Sequence, residues 1–269
     1  MTFTPTTSTK ELKRLAARIR LHAVRMVGIQ GFGYLGQALS AGDIYAALFG
    51  SGMLRPRHDR FVLSPGHYVV VFYAVAAELG LIPLAELERY GLDGALLEAI
   101  STERTPLIDI ACGSLGQGLS GAIGLALASR YAKDDRHTYA FVSDGEMEEG
   151  QLWEAAMFAS HHKLDRLTVV IDANNSQVDG PVTFVSTIEP IADKWKAFGW
   201  QVEDVDGHDV GALVKALQSG VKDKPLVVIA RTDILGRMKC FPPTVDGHFV
   251  KLDPPLLQAV VAELEAANA

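Results

Sequence analysis

The sequence predicts an α/β fold in which a mostly parallel sheet carries helices on both faces. Two observations support this. Short apolar runs alternate with helical patterns through the second half of the chain, as a parallel sheet with covering crossovers requires. One strand–helix–strand unit is also complete, from the run His137–Val142 through the helix pattern Glu148–His162 to the run Arg166–Ile171. At 269 residues the chain is sized for one large domain, residues 1–269, with residues 1–8 expected to be flexible.

From the N-terminus, Ser8–Arg25 reads as a helix: apolar residues recur at three- and four-residue steps, with arginines on the other faces. A Gly-rich passage, Gly28–Gly36, precedes a short helix after Ser40. Asp59–Leu63 is a short strand ending at Ser64-Pro65-Gly66-His67, and Tyr68–Leu79 is nearly all apolar, the mark of a buried helix. Gly113–Gly124 is Gly-rich and opens a small-residue helix running to Tyr131. Beyond the central unit come a strand at Trp200–Val205, a helix at Val210–Gln218, a strand at Leu226–Ala230 and a C-terminal helix, Pro254–Ala269.

Composition narrows the function classes. A net charge of −7 and a pI near 5.6 disfavour nucleic acid and anionic membrane as partners. Cys112 and Cys240 are too few for a disulfide framework and lack metal-ligand spacing, which fits a reducing cytoplasm. Met1–Lys10 has no apolar core and is not a secretory signal. The longest apolar stretch, Tyr68–Leu87, is broken by Glu78, Gly80 and Pro83, short of the about 20 residues a membrane span needs. A soluble cytoplasmic protein is expected.

The chemistry concentrates in the central unit. Ser143-Asp144-Gly145-Glu146 follows its first strand and Asn174-Asn175 its second. If the strands are parallel neighbours, Asp144 and Asn174 emerge side by side at their carboxyl ends. A carboxylate, an amide oxygen and a nearby main-chain carbonyl are hard donors. They suit Mg²⁺ and leave octahedral positions for water and phosphate oxygens, which points to a metal-bridged diphosphate cofactor. Taken singly, Asp-Gly and Asn-Asn each read as turns. Together, flanked by two good strands, they favour the cofactor.

Gly31-Phe32-Gly33-Tyr34-Leu35-Gly36 matches the dinucleotide fingerprint and raises an NAD-dependent oxidoreductase as a distant alternative. Three points oppose it. The preceding residues read as the end of a helix, no second strand ending in an acid follows at about 20 residues, and a later glycine cluster competes for the same role.

The assembled motifs resemble the thiamine-diphosphate-binding half of transketolases. Asp144-Gly145 with Asn174-Asn175 matches the cofactor motif. Phe61-Val62-Leu63-Ser64-Pro65-Gly66-His67, Gly113-Ser114-Leu115-Gly116-Gln117-Gly118 and Asp206-Gly207-His208-Asp209 match further signatures in the right order. The resemblance covers nearly the whole chain and implies a fold of the thiamine-diphosphate-binding (PP) domain type. It implies that Asp144 and Asn174, with the main-chain carbonyl of Ser176, hold Mg²⁺ on the diphosphate, that Gly145 admits the phosphates closely, and that Glu146 belongs to the cofactor site. It places His67 in the cofactor and substrate channel, Gly113, Ser114 and Leu115 against the pyrimidine, and His248 near the diphosphate. These two histidines are the catalytic candidates; His208 is expected to be structural. Glu149 and Glu154 match glutamates of a subunit interface, against the plain alternative of a solvated helix face.

In the family a second domain carries the glutamate that activates the cofactor. With the chain ending at Ala269, the resemblance implies the N-terminal subunit of a split transketolase. It would act only with a separately encoded C-terminal subunit, in an α₂β₂ assembly. Two departures concern the substrate. Tyr34 stands where the family motif has a histidine, and Ala99–Glu103 replaces a Gly-His-Pro segment. The expected reaction is transfer of a two-carbon unit from a keto donor to an aldehyde or ketone acceptor, with non-standard substrates. A carboligase taking an acetyl unit from a pyruvate-like 2-oxo acid is the alternative. An inactive homologue is a third reading, opposed by the intact metal-binding set.

Overall fold

The computed structural model describes residues 4–268. The flexibility expected at residues 1–8 falls partly on residues 1–3, and the expected end of the last helix on residue 269, outside the described residues. Among residues 4–8, Thr6 N donates to the Gly50 carbonyl (3.0 Å).

Helix α1 (Thr9–Gln30) starts where Ser8 accepts from Glu11 N, and stops at Gly31, which takes a left-handed φ of 73° and returns its N–H to Val27. It is longer than the sequence pattern suggests. Arg25–Ile29 therefore lies in a helix, and the dinucleotide-like fingerprint follows a helix where a Rossmann unit needs a strand. Strand β1 (Phe32–Gly33) leads directly to α2 (Leu35–Tyr45), continued by a π-helical turn to Gly50. The expectation of a helix only after Ser40 is corrected by five residues. Glycine lowers helix propensity, but here Gly36 is required by packing: a Cβ on it would lie 1.8 Å from the Gly247 carbonyl.

Strand β2 (Arg60–Leu63) runs through a 3₁₀ turn at Gly66–Tyr68 into α3 (Val69–Glu78), which is buried along almost its whole length as its apolar sequence predicts. After a long loop come α4 (Gly118–Ala132), β3 (Thr138–Ser143), a 3₁₀ turn at Gly145–Glu148, and α5 (Gly150–His161). They are followed by β4 (Leu167–Ala173), the short turns α6 (Val182–Val185) and α7 (Ile191–Ala197), and β5 (Gln201–Asp206). The chain ends with α8 (Val210–Leu217), β6 (Leu226–Arg231), β7 (Val250–Lys251) and α9 (Pro254–Asn268).

Five strands form one parallel sheet in the order β2-β3-β4-β6-β5, while β1 pairs antiparallel with β7 in a separate ribbon. Alternation along the central strands feeds two cores. Phe61, Tyr139, Phe141, Val170 and Val228 face α1, α2, α3 and α8. Val62, Ala140, Val142, Ile171 and Ile229 face α4, α5 and α7. Edge strand β5 carries Glu203, Asp204 and Asp206, charges that discourage pairing with another chain. The side covered by α1 and α2 also holds a buried ionic brace. Arg20 bonds both Asp43 and the Leu39 carbonyl, and His208 bonds Asp43 through Nδ1 (3.0 Å) while its Nε2 accepts from Asp233 N (2.9 Å). His208 is thus bonded on both ring nitrogens, in keeping with the structural role expected of it.

Candidate active site

Parallel pairing of β3 with β4 sets Ser143 opposite Asp172. The two motifs therefore leave the sheet together, and Asp144 N donates to the Asp172 carbonyl (3.2 Å). Asp144 then accepts from its neighbour Gly145 N (2.9 Å) through Oδ1 and from Asn175 N through Oδ2. The Asn pair divides its work. Asn175 takes a left-handed φ of 57°, which Asn tolerates better than most residues, and its side chain accepts from Thr183 N (2.9 Å). It is a turn residue. Asn174 is buried, its amide nitrogen donating to Tyr68 Oη and Asp172 Oδ2 (2.9 Å each), its oxygen accepting from Ser176 N (2.9 Å).

Glu146 is fully buried and joins three loops. Its Oε1 accepts from Gly116 N (2.7 Å) and from Ser64 Oγ, and Ser64 Oγ in turn accepts from Gly118 N (3.1 Å). Its Oε2 has no partner. Beside these loops lies a cavity of about 280 Å³. Its wall includes His67, His248, Gly113, Leu115, Gly145, Glu146 and the Ser176 loop, with Tyr34, Tyr68 and Ile100. The two motif side chains Asp144 and Asn174 form buried polar groups next to this wall. Ser114 is exposed on the glycine loop and is not among the lining residues, and neither are the exposed Glu149 and Glu154. A second cleft of equal volume lies at the opposite, amino ends of β3 and β4. Its Arg130 and Arg166 are tied to main-chain carbonyls of His162, Lys163 and Asp134, and no motif residue reaches it.

Electrostatics set the motif side chains apart. Burial and the charge of Asp172 push the Asp144 carboxyl up to about 7, against the downward pull of the Asn175 and Gly145 N–H groups. Burial likewise lifts Glu146 to about 7 despite its bonds from Ser64 and Gly116. His67 is pushed down to about 4, first by burial and then by His248; burial also lowers His248, with Asp246 and the Ser176 main chain pulling the other way. Both imidazoles are neutral at pH 7. They pack with Tyr34 in one aromatic group: ring centroids are 5.1 Å apart for Tyr34 and His67, 6.0 Å for Tyr34 and His248, and 5.7 Å between the histidines.

Residues 11–254 match the family model described as the thiamine diphosphate binding domain of transketolase. The chain belongs to the transketolase family. It is 39% identical over 254 residues to a transketolase family protein, y4mO, of Sinorhizobium fredii, covering 90% of this chain and 91% of that one. It is 37% identical over 270 residues to the 6-deoxy-6-sulfo-D-fructose transketolase subunit SqwG of a Clostridium species, covering 96% and 98%. Among solved structures, a transketolase variant from Pichia stipitis superposes with a TM-score of 0.84 at 26% identity, covering 96% of this chain but 41% of that one. The family member described here therefore spans nearly the full length of two relatives and less than half of a solved transketolase.

Within this transketolase-family site, sequence reasoning missed Asp172. It sits two residues before Asn174 and accepts from Ser40 Oγ, Tyr68 Oη, Asn174 Nδ2 and Thr232 Oγ1. A signal was present: an aspartate inside the largely apolar run Leu167–Ala173 must be satisfied internally if that strand is buried. Ser64, Ser40 and Thr232 carried no comparable signal, because a hydroxyl reads the same in a turn as in a network.

Proposed function

We propose that the chain is the N-terminal subunit of a split transketolase-like enzyme, binding thiamine diphosphate through Mg²⁺ and transferring a two-carbon unit between a keto donor and an aldehyde or ketone acceptor. The observation that carries this reading is the convergence of Asp144, Asn174 and the Ser176 loop at the carboxyl ends of two adjacent parallel strands, beside a cavity, in a member of this family.

The residues suit the absent group. No cluster of three or more His, Cys, Asp or Glu that could hold a metal occurs among the described residues. The donor set here is of another type, one carboxylate, one amide oxygen and one carbonyl, which suits a hard cation that keeps waters and phosphate oxygens. A divalent cation would stabilise the ionised form of Asp144, which burial and Asp172 disfavour. A Cβ on Gly113 would meet nothing within 4 Å, and one on Gly145 only Gln177 at 3.5 Å, so both glycines leave open backbone facing the cavity. Glu146 Oε2 offers a buried polar atom still to be satisfied.

When bound, thiamine diphosphate supplies the nucleophilic carbon that carries the two-carbon fragment. This chain's residues bind and orient. Asp144, Asn174 and the Ser176 carbonyl would hold Mg²⁺ on the diphosphate. Glu146 keeps the Gly113–Gly118 loop, with Gly113, Ser114 and Leu115, at a fixed distance from the metal loop. His67, neutral and partly desolvated, is a hydrogen-bonding group toward ligand oxygens, His248 stands beside it against the Ser176 loop, and Tyr34, Leu115 and Ile100 supply apolar wall. Glu149 and Glu154 contribute to a subunit interface. Helix α5 supports that placement, since Met157 and Phe158 are exposed on it beside Glu154. The near full-length match to one subunit and the match covering 41% of a solved transketolase support a separate pyrimidine-binding subunit; we read the assembly as α₂β₂.

Tyr34 and Ile100, which occupy the cavity wall where the family's histidine motifs stand, favour a donor with fewer hydroxyls at this wall than a pentose phosphate offers. Loss of a partner for a buried hydroxyl costs about 1–3 kcal/mol, enough to change a preferred substrate. A pyruvate-like 2-oxo acid is the second reading that this apolar wall supports. Calorimetric titration with thiamine diphosphate, with and without Mg²⁺, tests the cofactor. Binding that requires Mg²⁺ supports it, and heats indistinguishable from dilution overturn it. A donor panel on the assembled enzyme tests the substrate, and xylulose 5-phosphate as best donor would overturn the altered-donor reading.

A further inference from the structure

We propose that Gln37 is a positioning residue that fixes the tautomer of His248, so that the ring's Nε2–H faces the main chain of Ser176 at the cavity. Gln37 lies in α2 and is 1% exposed. Its amide nitrogen is 3.1 Å from His248 Nδ1, and its oxygen is buried without a partner. An amide nitrogen can only donate, so Nδ1 accepts and the ring proton resides on Nε2.

The far side of the ring agrees. Ser176 and His248 line the same cavity, and the Ser176 main chain pulls the imidazole pKa upward, the direction that a carbonyl facing the ring gives. Gly36 and Gly247 let α2 and the His248 segment come close enough for this contact, and Asp246 Oδ1 holds His248 N (2.9 Å). A carbonyl has two lone pairs, so the oxygen that accepts from the ring can also meet a cation. With the opposite tautomer, the ring's lone pair would face that oxygen, acceptor against acceptor, and push the Ser176 loop away. Gln37 thus reaches the metal loop through His248 without touching it.

What the N–H serves rests on the thiamine-diphosphate reading; where the proton sits does not. The test is a two-bond ¹H–¹⁵N correlation on the full, uniformly labelled, cofactor-free chain at pH 8, with the His248 signals assigned by their loss in His248→Gln. The expected spectrum shows a pyridine-like Nδ1 and a pyrrole-like Nε2. Gln37→Glu, whose carboxylate only accepts, gives Nδ1 a proton; Gln37→Met, of similar shape with no donor, gives a mixture. Titration with thiamine diphosphate and Mg²⁺ then shows Gln37→Glu binding at least roughly five-fold more weakly, the net worth of one hydrogen bond. A wild-type ring protonated on Nδ1, or a Gln37→Glu variant that leaves Nδ1 bare, overturns the inference. If neither variant folds, the wild-type spectrum decides alone. The expected tautomer in a chain that binds no thiamine diphosphate upholds the positioning by Gln37 and sinks the cofactor reading instead.

Discussion

Asp172 accepts hydrogen bonds from Ser40, Tyr68, Asn174 and Thr232 while fully buried. By holding the amide nitrogen of Asn174 it leaves that side chain's oxygen to accept from Ser176 N. Asp172→Ala leaves Tyr68 Oη and Thr232 Oγ1 without an acceptor, while Ser40 keeps the Gln37 carbonyl and Asn174 keeps Tyr68 Oη; each orphan costs about 1–3 kcal/mol. A loss of about 3 kcal/mol or more is expected in urea unfolding; a loss under about 1 kcal/mol would mean that water replaces the carboxylate. In the folded fraction, Mg²⁺-dependent cofactor binding should weaken by roughly 10–100-fold, as for other groups that orient metal ligands. Histidine burial gives a pH signature. Burial holds both His67 and His137 near 4, whereas the unfolded chain protonates each near 6.5. A depressed pKa means that the contribution is complete above about 6.5 and is lost as pH falls toward 4. His137→Gln, which keeps a partner for Thr168 Oγ1, should reduce the stability lost between pH 7 and 4.5 by about 2 kcal/mol. An unchanged acid profile in paired urea melts would show that His137 is hydrated before unfolding.

Glycines test the element scale because two kinds stand side by side. In α2, a Cβ at Gly36 would sit 1.8 Å from the Gly247 carbonyl, and in α4 one at Gly118 would sit 2.3 Å from Ser64 Oγ. Gly124, also in α4, faces open space. Gly36→Ala should therefore displace the His248 segment, lowering thermal stability and cofactor affinity together. Gly124→Ala should be neutral or stabilising, by up to about 1 kcal/mol, through helix propensity alone. Equal effects of the two on melting temperature would refute the close-packing account. The same contrast explains what the pattern of residues missed. The run Gly31–Gly36 looks like a phosphate loop, yet Gly31 ends a helix and Gly36 serves a backbone contact with a segment more than 200 positions away. No local spacing distinguishes those uses.

At the scale of the whole molecule, the fold, the order of the motifs and the Asp144–Asn174 pairing were legible in the sequence. Parallel neighbours joined by a crossover leave little freedom for where their carboxyl-end loops meet. Among the described residues no helix is long and apolar enough to cross a membrane. The isolated chain should show no turnover of any donor and gain it on addition of a pyrimidine-binding partner subunit, read by coupled assay and native mass spectrometry. Substantial turnover by the chain alone would overturn the split-enzyme reading. Glu154→Lys, on an exposed face, should leave the melt of the isolated chain within about 0.5 kcal/mol of wild type and yet impair assembly. An assembly constant equal to wild type would return Glu154 to the solvated face.

The sequence by itself determined the alternation of strands and helices, the Asp144-Gly145 and Asn174-Asn175 motifs and the positions of His67 and the glycine loop, because each is written in local spacing and residue type. Only the tertiary structure decided that Asp172, Ser64 and Gln37 support those motifs, that Asn175 turns the chain while Asn174 faces the site, and that Tyr34 packs against both histidines. These are contacts between distant segments. Packing and the need to satisfy buried polar groups select such contacts across the whole fold, and neighbouring residues carry no record of them.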